Sequence, residues 1–175
     1  MAIQNVISEL NRIQSAGLIA DYAIGGAVAA QAYIETSATA DVDVFVSFAG
    51  DAAQSLAPLG NIWADMIAHG AKVEGEHLVI ADWPVQFLPP GTPLYDDAIR
   101  KARTKDFGGQ VARIMGPEHL AAIALATGRG KDYTRVEEFI RRGRVDMAAL
   151  MQLIEQHGLQ VKWNTFETRY LTSNA

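Results

Sequence analysis

Residues 22–46 read YAIGGAVAAQAYIETSATADVDVFV, and the fold is decided within this stretch. Tyr22-Ala23-Ile24 is a short apolar strand that runs into Gly25-Gly26. Ala27 to Tyr33 is rich in alanine and reads as a helix. From Asp41 to Phe48 the residues alternate, with Val42, Val44 and Val46 on one face and Asp41, Asp43 and Phe45 on the other. That is the pattern of a strand with one buried face. Glycines between a strand and a helix let an anion approach the backbone, and a helix N-terminus favours negative charge. Because strand side chains alternate, Asp41 and Asp43 project from the same face, about 7 Å apart at Cα. Two converging carboxylates repel unless a cation joins them. Magnesium is a hard cation that takes one or two carboxylates and fills its remaining positions with water and phosphate oxygens. Taken singly, a Gly-Gly pair is a tight turn and an Asp-x-Asp is the polar face of a strand. In succession they supply a phosphate cradle and a metal platform.

Working outward, Ile3, Val6, Ile7, Leu10 and Ile13 recur at helical spacing, which predicts an amphipathic helix over 2–16 closed at Gly17. Residues 51–69 read as mostly helical, broken near Pro58 and Gly60. His77–Ala81 and Val85–Leu88 are two short strands around Asp82-Trp83-Pro84, a hairpin. Thr92-Pro93 starts a helix with a capping hydroxyl and proline at the first position. Asp96 and Asp97 then sit near its positive end, and Arg100, Lys101 and Arg103 near its negative end. Gln110–Met115 is a further strand, and Gly116-Pro117-Glu118 opens a helix to about Thr127. Helices follow over 131–141 and 146–157, and the tail after Trp163 carries no assignment. The expected architecture is α+β (mixed α/β): a mixed sheet with flanking helices over 1–115, then a C-terminal helical extension over 116–175 packed on it as a single compact unit.

Composition limits what such a chain does. At 175 residues with 49% hydrophobic and 20% charged residues, the chain buries an ordinary globular core. With no cysteine, disulfides, thiolate metal sites and cysteine nucleophiles are excluded. No apolar run approaches the roughly 18 residues that span a bilayer, and the N-terminus lacks a signal-peptide pattern. A cytoplasmic protein without a membrane partner is expected. The net charge of −5 argues against indiscriminate nucleic-acid binding. The charge is uneven, however. Arg100 to Arg144 holds 11 of the 15 Lys and Arg residues against five acids, a local excess of +6, and the remainder carries −11. A basic arm of this kind faces phosphates or an acidic partner, or is attracted to the acidic remainder of the fold.

The segment quoted above resembles the core signature of the nucleotidyltransferase superfamily, in which a glycine pair opens a helix and an Asp-x-Asp follows on the next strand. Within it the chain looks most like AbiEii-type toxins of type IV toxin–antitoxin systems. Those often place Thr or Ser two positions before the first aspartate, as Thr39 is here. The later LAAIALATGRGKDYTRVEEFI is similar to their small-residue helix followed by Lys-Asp. The resemblance spans about residues 20–145. It implies that Gly25 and Gly26 contact nucleotide phosphates and that Asp41 and Asp43 bind Mg2+. It further implies Lys131 near the triphosphate and Asp132 orienting it or a partner. The reaction implied is attack of an RNA or protein hydroxyl on the α-phosphate of a nucleoside triphosphate (NTP), with loss of pyrophosphate. A cognate antitoxin protein is an implied partner.

Two departures qualify that expectation. Active members place a third carboxylate on a neighbouring strand, and the position that aligns here is Gln86, which neither acts as a base nor binds magnesium as a carboxylate does. Asp82, Glu74 and Glu76 are the nearby acids in sequence. Many relatives also carry Arg two residues before the Thr, where this chain has Ser37. Three readings follow: a transferring enzyme, a degenerate fold that holds a nucleotide or protein without transfer, and a partner protein in which Asp41 and Asp43 only shape an acidic surface.

The other candidates have plainer readings beside them. His69, His77, His119 and His157 lack metal-ligand spacing and read as surface or partly buried residues, with His119 placed at a helix start. Lys131, Arg135 and Arg142 share a helix face, either as a phosphate-facing ridge or as a solvated face with an Arg135–Glu138 pair. Arg141-Arg142-Gly143-Arg144 resembles a basic turn but lacks interleaved aromatics for stacking RNA bases. Trp63, Trp83 and Trp163 read as packing residues, with Trp83 expected in the hairpin turn.

Overall fold

The computed structural model describes residues 3–35, 39 and 41–172. They form two compact units, Met1–Ala29 with Ser37–Met115 and Ala30–Thr36 with Gly116–Ala175.

The first unit begins with α1 (Ile3–Ser15), β1 (Asp21–Ile24), α2 (Gly26–Ala30, its last residue opening the other unit) and β2 (Val42–Ser47). It continues with α3 (Gly50–Gln54), α4 (Pro58–Ala68), β3 (Lys72–Glu74), β4 (His77–Ile80) and β5 (Trp83–Leu88). It ends with α5 (Pro93–Arg100), β6 (Arg103–Asp106) and β7 (Val111–Ile114). The strands make one sheet in the order β3-β4-β5-β2-β1-β7-β6. The β2–β5 and β1–β7 pairs are parallel and the other pairs antiparallel, so the sheet is mixed.

Alternation in β2 fixes which face meets which helix. Val42, Val44 and Val46 are fully buried, as the period-2 pattern requires. Tyr22, paired with Val46, donates its hydroxyl to Asn11 Oδ1 of α1 at 2.8 Å, so α1 covers this face. Val6, Ile7, Leu10 and Ile13 of α1 are all buried. Arg12 bonds Asp65 and ties α4 into the same layer. On the opposite face, Phe45 meets Tyr95 of α5 edge-on, with ring centroids 4.9 Å apart. Arg113 of β7 donates to the Ile99 carbonyl at the far end of α5, at 2.8 Å. Helix α5 therefore crosses the second face from β2 to β7. Thr92 caps it as expected, accepting the Tyr95 N–H at 3.2 Å.

Several sequence-based expectations are corrected here. Phe45 shares a face with the aspartates but is buried, because α5 lies over it. Arg103 is not the end of a helix: α5 stops at Arg100 and Arg103 starts an edge strand. The hairpin turns at Ala81-Asp82, both with positive φ, and Trp83-Pro84 belong to β5. Both β3 and β6 are additional strands.

The second unit holds α6 (Pro117–Thr127), α7 (Gly130–Arg141), α8 (Met147–Gln156), α9 (Gln160–Phe166) and a π-helical segment, Glu167–Thr172. Helix α6 packs on α7, α8 and α9. Its run of small residues, with Ala121, Ala122 and Ala124 buried, allows that close approach. The tail after Trp163 is helical and adds an aromatic cluster. Phe166 stacks on Tyr170 at 5.4 Å and meets Trp163 at 5.6 Å and Tyr133 at 5.9 Å. Among the described residues no helix is long and apolar enough to cross a membrane.

Candidate functional site

The Gly25-Gly26 turn and the Asp-bearing strand are built against one another. The Gly25 N–H donates to the Asp43 carbonyl at 2.9 Å, carrying the β1–β2 ladder one residue past the end of β1. The Gly25 carbonyl then accepts the Ala29 N–H at 3.1 Å, the first turn of α2. A Cβ on Gly25 would stand 2.6 Å from Phe45 Cε2 and 3.3 Å from Met115 Sδ. Gly26 has φ of +56, and a Cβ there would collide with the Asp43 carboxylate, only 3.0 Å from its Cγ. Both positions therefore require glycine, Gly25 for the close approach of an aromatic ring and Gly26 for its left-handed backbone and the carboxylate beside it.

Asp41 and Asp43 are half-buried. Thr39 donates its hydroxyl to Asp41 through Oδ1 at 2.8 Å, with the Asp41 carbonyl also near at 3.1 Å. The sequence places Thr39 two residues before Asp41, and the contact is what a Thr-x-Asp turn produces. Ser37, which stands where many relatives carry Arg, lies outside the described residues.

The third position is set by the sheet register. Asp43 pairs directly with Gln86 across the parallel β2–β5 ladder, Val42 with Val85 and Val44 with Phe87. Paired residues project from the same face, so Gln86 stands beside Asp43. The other acids are elsewhere. Glu74 lies on β3, three strand spacings from β2, which is about 14 Å at the usual strand separation. Glu76 follows it in the turn into β4, and Asp82 is exposed on the β4–β5 turn with φ of 65. No group of three His, Cys, Asp or Glu that could hold a metal occurs among the described residues. What is present suits magnesium bound with a nucleotide. Asp41 and Asp43 give two carboxylates, Gln86 a neutral amide oxygen, and phosphates normally complete such a shell.

Lys131 and Asp132 sit in the second unit, at the start of α7. Lys131 is exposed. Asp132 is 2% exposed and caps its own helix: it accepts the Arg129 backbone N–H at 3.3 Å and Arg129 Nε at 2.7 Å, with Arg135 Nη1 at 4.0 Å. The expected Arg135–Glu138 pair is replaced by Arg142–Glu138 at 2.9 Å, beside Arg141–Glu137 at 2.8 Å. Arg141 and Arg142 of the basic arm thus find their partners one turn away within the same helix. His69 is exposed and His77 and His157 half-buried, whereas His119 is 7% exposed at the start of α6. Trp163 is buried, and Trp63 and Trp83 are half-buried packing residues. Tyr95 went unnoticed in the sequence, because only the crossing of α5 brings it to Phe45.

No protein-family model matches the chain, and no curated protein matches it in sequence. Solved structures do match. An antigenic nucleotidyltransferase-like protein from Paracoccidioides brasiliensis superposes with a TM-score of 0.61 at 16% identity, covering 95% of this chain and 88% of that one. The antibiotic-resistance factor ANT(2'')-Ia in solution gives 0.51 at 16% identity, covering 98% of this chain and 94% of that one. Its crystal structure in complex with adenylyl-2''-tobramycin gives 0.50 at 16% identity, covering 95% and 98%. The fold of this chain, a seven-stranded mixed sheet with flanking helices, is nucleotidyltransferase-like.

Proposed function

We propose that this protein binds a magnesium–nucleoside triphosphate at the Gly25–Gly26 turn beside Asp41 and Asp43, and that it transfers a nucleotidyl group poorly or not at all. The observation that carries the reading is the register that sets Gln86 against Asp43. The triphosphate would lie against the backbone of the glycine turn, whose two Cα atoms are packed so closely on Phe45 and Asp43 that neither position holds a side chain. Asp41, held through its Oδ1 by Thr39, and Asp43, packed on Gly26, present carboxylate oxygens to the cation. Magnesium held there would supply charge neutralisation on the phosphates and orient pyrophosphate as leaving group. Activating an acceptor hydroxyl calls for a base near that cation. An amide at position 86 accepts a hydrogen bond but takes no proton at neutral pH.

Calorimetric titration with ATP, GTP, CTP and UTP, with and without magnesium, tests the binding. Magnesium-dependent heat with at least one triphosphate is expected, and its loss in Asp41→Asn and Asp43→Asn. Silence with all four would remove the reading. Incubation with each α-labelled triphosphate and total RNA or lysate tests transfer, with little label moved by the native chain. Gln86→Asp restores a carboxylate in register with Asp43 and is expected to raise transfer at least tenfold, a gain in the general-base range. No gain in a folded Gln86→Asp protein that binds nucleotide would show that more than the base is missing.

A second reading is favoured by one comparison. ANT(2'')-Ia shares the fold over 98% of its chain in complex with adenylyl-2''-tobramycin. On that footing the protein transfers NMP to a hydroxyl. An RNA or protein acceptor would suit the toxin–antitoxin setting that the AbiEii-type resemblance implies, with a cognate antitoxin as its partner. Robust labelling by the native chain, abolished in Asp43→Asn, would select this reading over the first.

A further inference from the structure

We infer that Tyr95 is the residue that contacts the nucleoside of a triphosphate bound at the Gly25–Gly26 turn, an assignment that rests on the nucleotide-binding reading above. Three observations place it there. Phe45 lies on the Asp43 face of β2 and touches the turn, its Cε2 occupying the space a Gly25 Cβ would need at 2.6 Å. Tyr95 meets that same Phe45 ring with centroids 4.9 Å apart and planes at 82°. Gly25, Phe45 and Tyr95 thus form a continuous row from the phosphate-facing backbone to the first turn of α5. One aromatic ring separates the turn from Tyr95, a span suited to the sugar between a triphosphate and its base.

In an edge-to-face pair neither ring covers both faces of the other, so at least one face of Tyr95 is not covered by Phe45. Tyr95 is half-buried, and its phenolic hydroxyl makes no hydrogen bond among the described residues. Thr92 and Pro93 fix the backbone below it, since Thr92 caps the helix through the Tyr95 N–H at 3.2 Å. The side chain is therefore held in place from two sides, and the half-buried aromatic ring keeps part of its surface toward solvent. A purine or pyrimidine stacks on such a surface without sequence-like discrimination, because every base has a π-face.

The test compares nucleoside triphosphates with inorganic tripolyphosphate, which has the phosphates and no nucleoside. Calorimetry in magnesium is run on the native chain, Tyr95→Leu, Tyr95→Ala and Tyr95→Phe. Tyr95→Leu retains apolar bulk against Phe45 and guards against a misfolded Tyr95→Ala. Loss of stacking is expected to weaken ATP by about tenfold in Tyr95→Leu, within the range of base–aromatic contacts, and to leave tripolyphosphate within about twofold. Tyr95→Phe, which keeps the ring, is expected to keep ATP affinity within about threefold of the native chain. Equal affinity of native and Tyr95→Leu protein for ATP would overturn the assignment while leaving nucleotide binding standing. Equal weakening of ATP and tripolyphosphate in a folded Tyr95→Leu protein would also overturn it, by showing a purely structural role. Failure of the native chain to bind either ligand would remove the nucleotide reading itself, and Tyr95 with it.

Discussion

Gly26 and Asp43 are coupled more tightly than a motif suggests. The glycine is held at φ of +56 directly against the carboxylate, so the glycine turn and the Asp43 side chain cannot move independently. Gly26→Ala places a methyl group into Asp43 and adds left-handed strain. A loss of about 1–3 kcal/mol in denaturant unfolding is expected, with magnesium-dependent nucleotide binding abolished even where the variant folds. A variant that binds normally would show that the carboxylate relocates freely. Tyr22 offers a second residue-scale test. Burial pushes its phenol pKa above the ordinary value, against the opposing effect of the nearby Arg113 guanidinium. The folded chain therefore holds this proton more tightly than the unfolded chain does. The contribution is complete below about pH 10, the unfolded value, and is lost as pH rises through the folded value. Tyr22→Phe gives up the bond to Asn11, worth about 1 kcal/mol near neutrality. Urea unfolding at pH 8 and pH 11 is expected to show the native advantage narrowing or reversing at the higher pH. A gap that does not change with pH would mean the phenol is not held neutral by the fold.

Among the elements, β2 was legible because Val42, Val44 and Val46 repeat with period 2, and the fit of Gln86 beside Asp43 followed from reading β5 as its neighbour. The edge strands were not legible. Lys72-Val73-Glu74 and Arg103-Thr104-Lys105-Asp106 have little or no apolar alternation, since an edge strand facing solvent needs charge rather than a buried face. Phe45 was read on the right face but with the wrong burial, because sequence periodicity in β2 carries no record of the helix that covers it 50 residues later. The Lys-Asp in α7 shows the same limit. Its carboxylate is engaged by Arg129 and the helix N-terminus, contacts that neighbouring charges alone do not reveal. Asp132→Ala removes that cap together with the Asp132–Arg129 ion pair. A loss of about 1–2 kcal/mol in urea unfolding is expected, at the upper end of measured helix caps because the group is buried. An effect below about 0.5 kcal/mol would mean that the cap contributes little.

For the whole molecule, the division into two units decides where a ligand is felt. The glycine turn, Asp41, Asp43, Gln86 and Tyr95 all belong to the first unit, and their backbone connections run through β1, β2, β5 and α5. A ligand that binds only the folded state stabilises it by about 2.7 kcal/mol at a hundredfold excess over its dissociation constant. In a chain of this size that corresponds to roughly 5–10 °C in melting temperature. Magnesium with a saturating triphosphate is expected to produce a rise of that order in the native chain and none in Asp43→Asn. Hydrogen exchange should localise it. Peptides covering Ile24–Ala29 and Val42–Ser47 gain the most protection, because the Gly25–Asp43 bond and the β1–β2 ladder hold the site together. Protection spread evenly through α8 and α9, with none added at the glycine turn, would place the ligand away from Asp43 and overturn the assignment of the site. The same exchange map on Gln86→Asp separates binding from catalysis at this scale. Unchanged protection at the turn with increased transfer would leave the glutamine as the reason that a nucleotidyltransferase-like fold holds a nucleotide without using it.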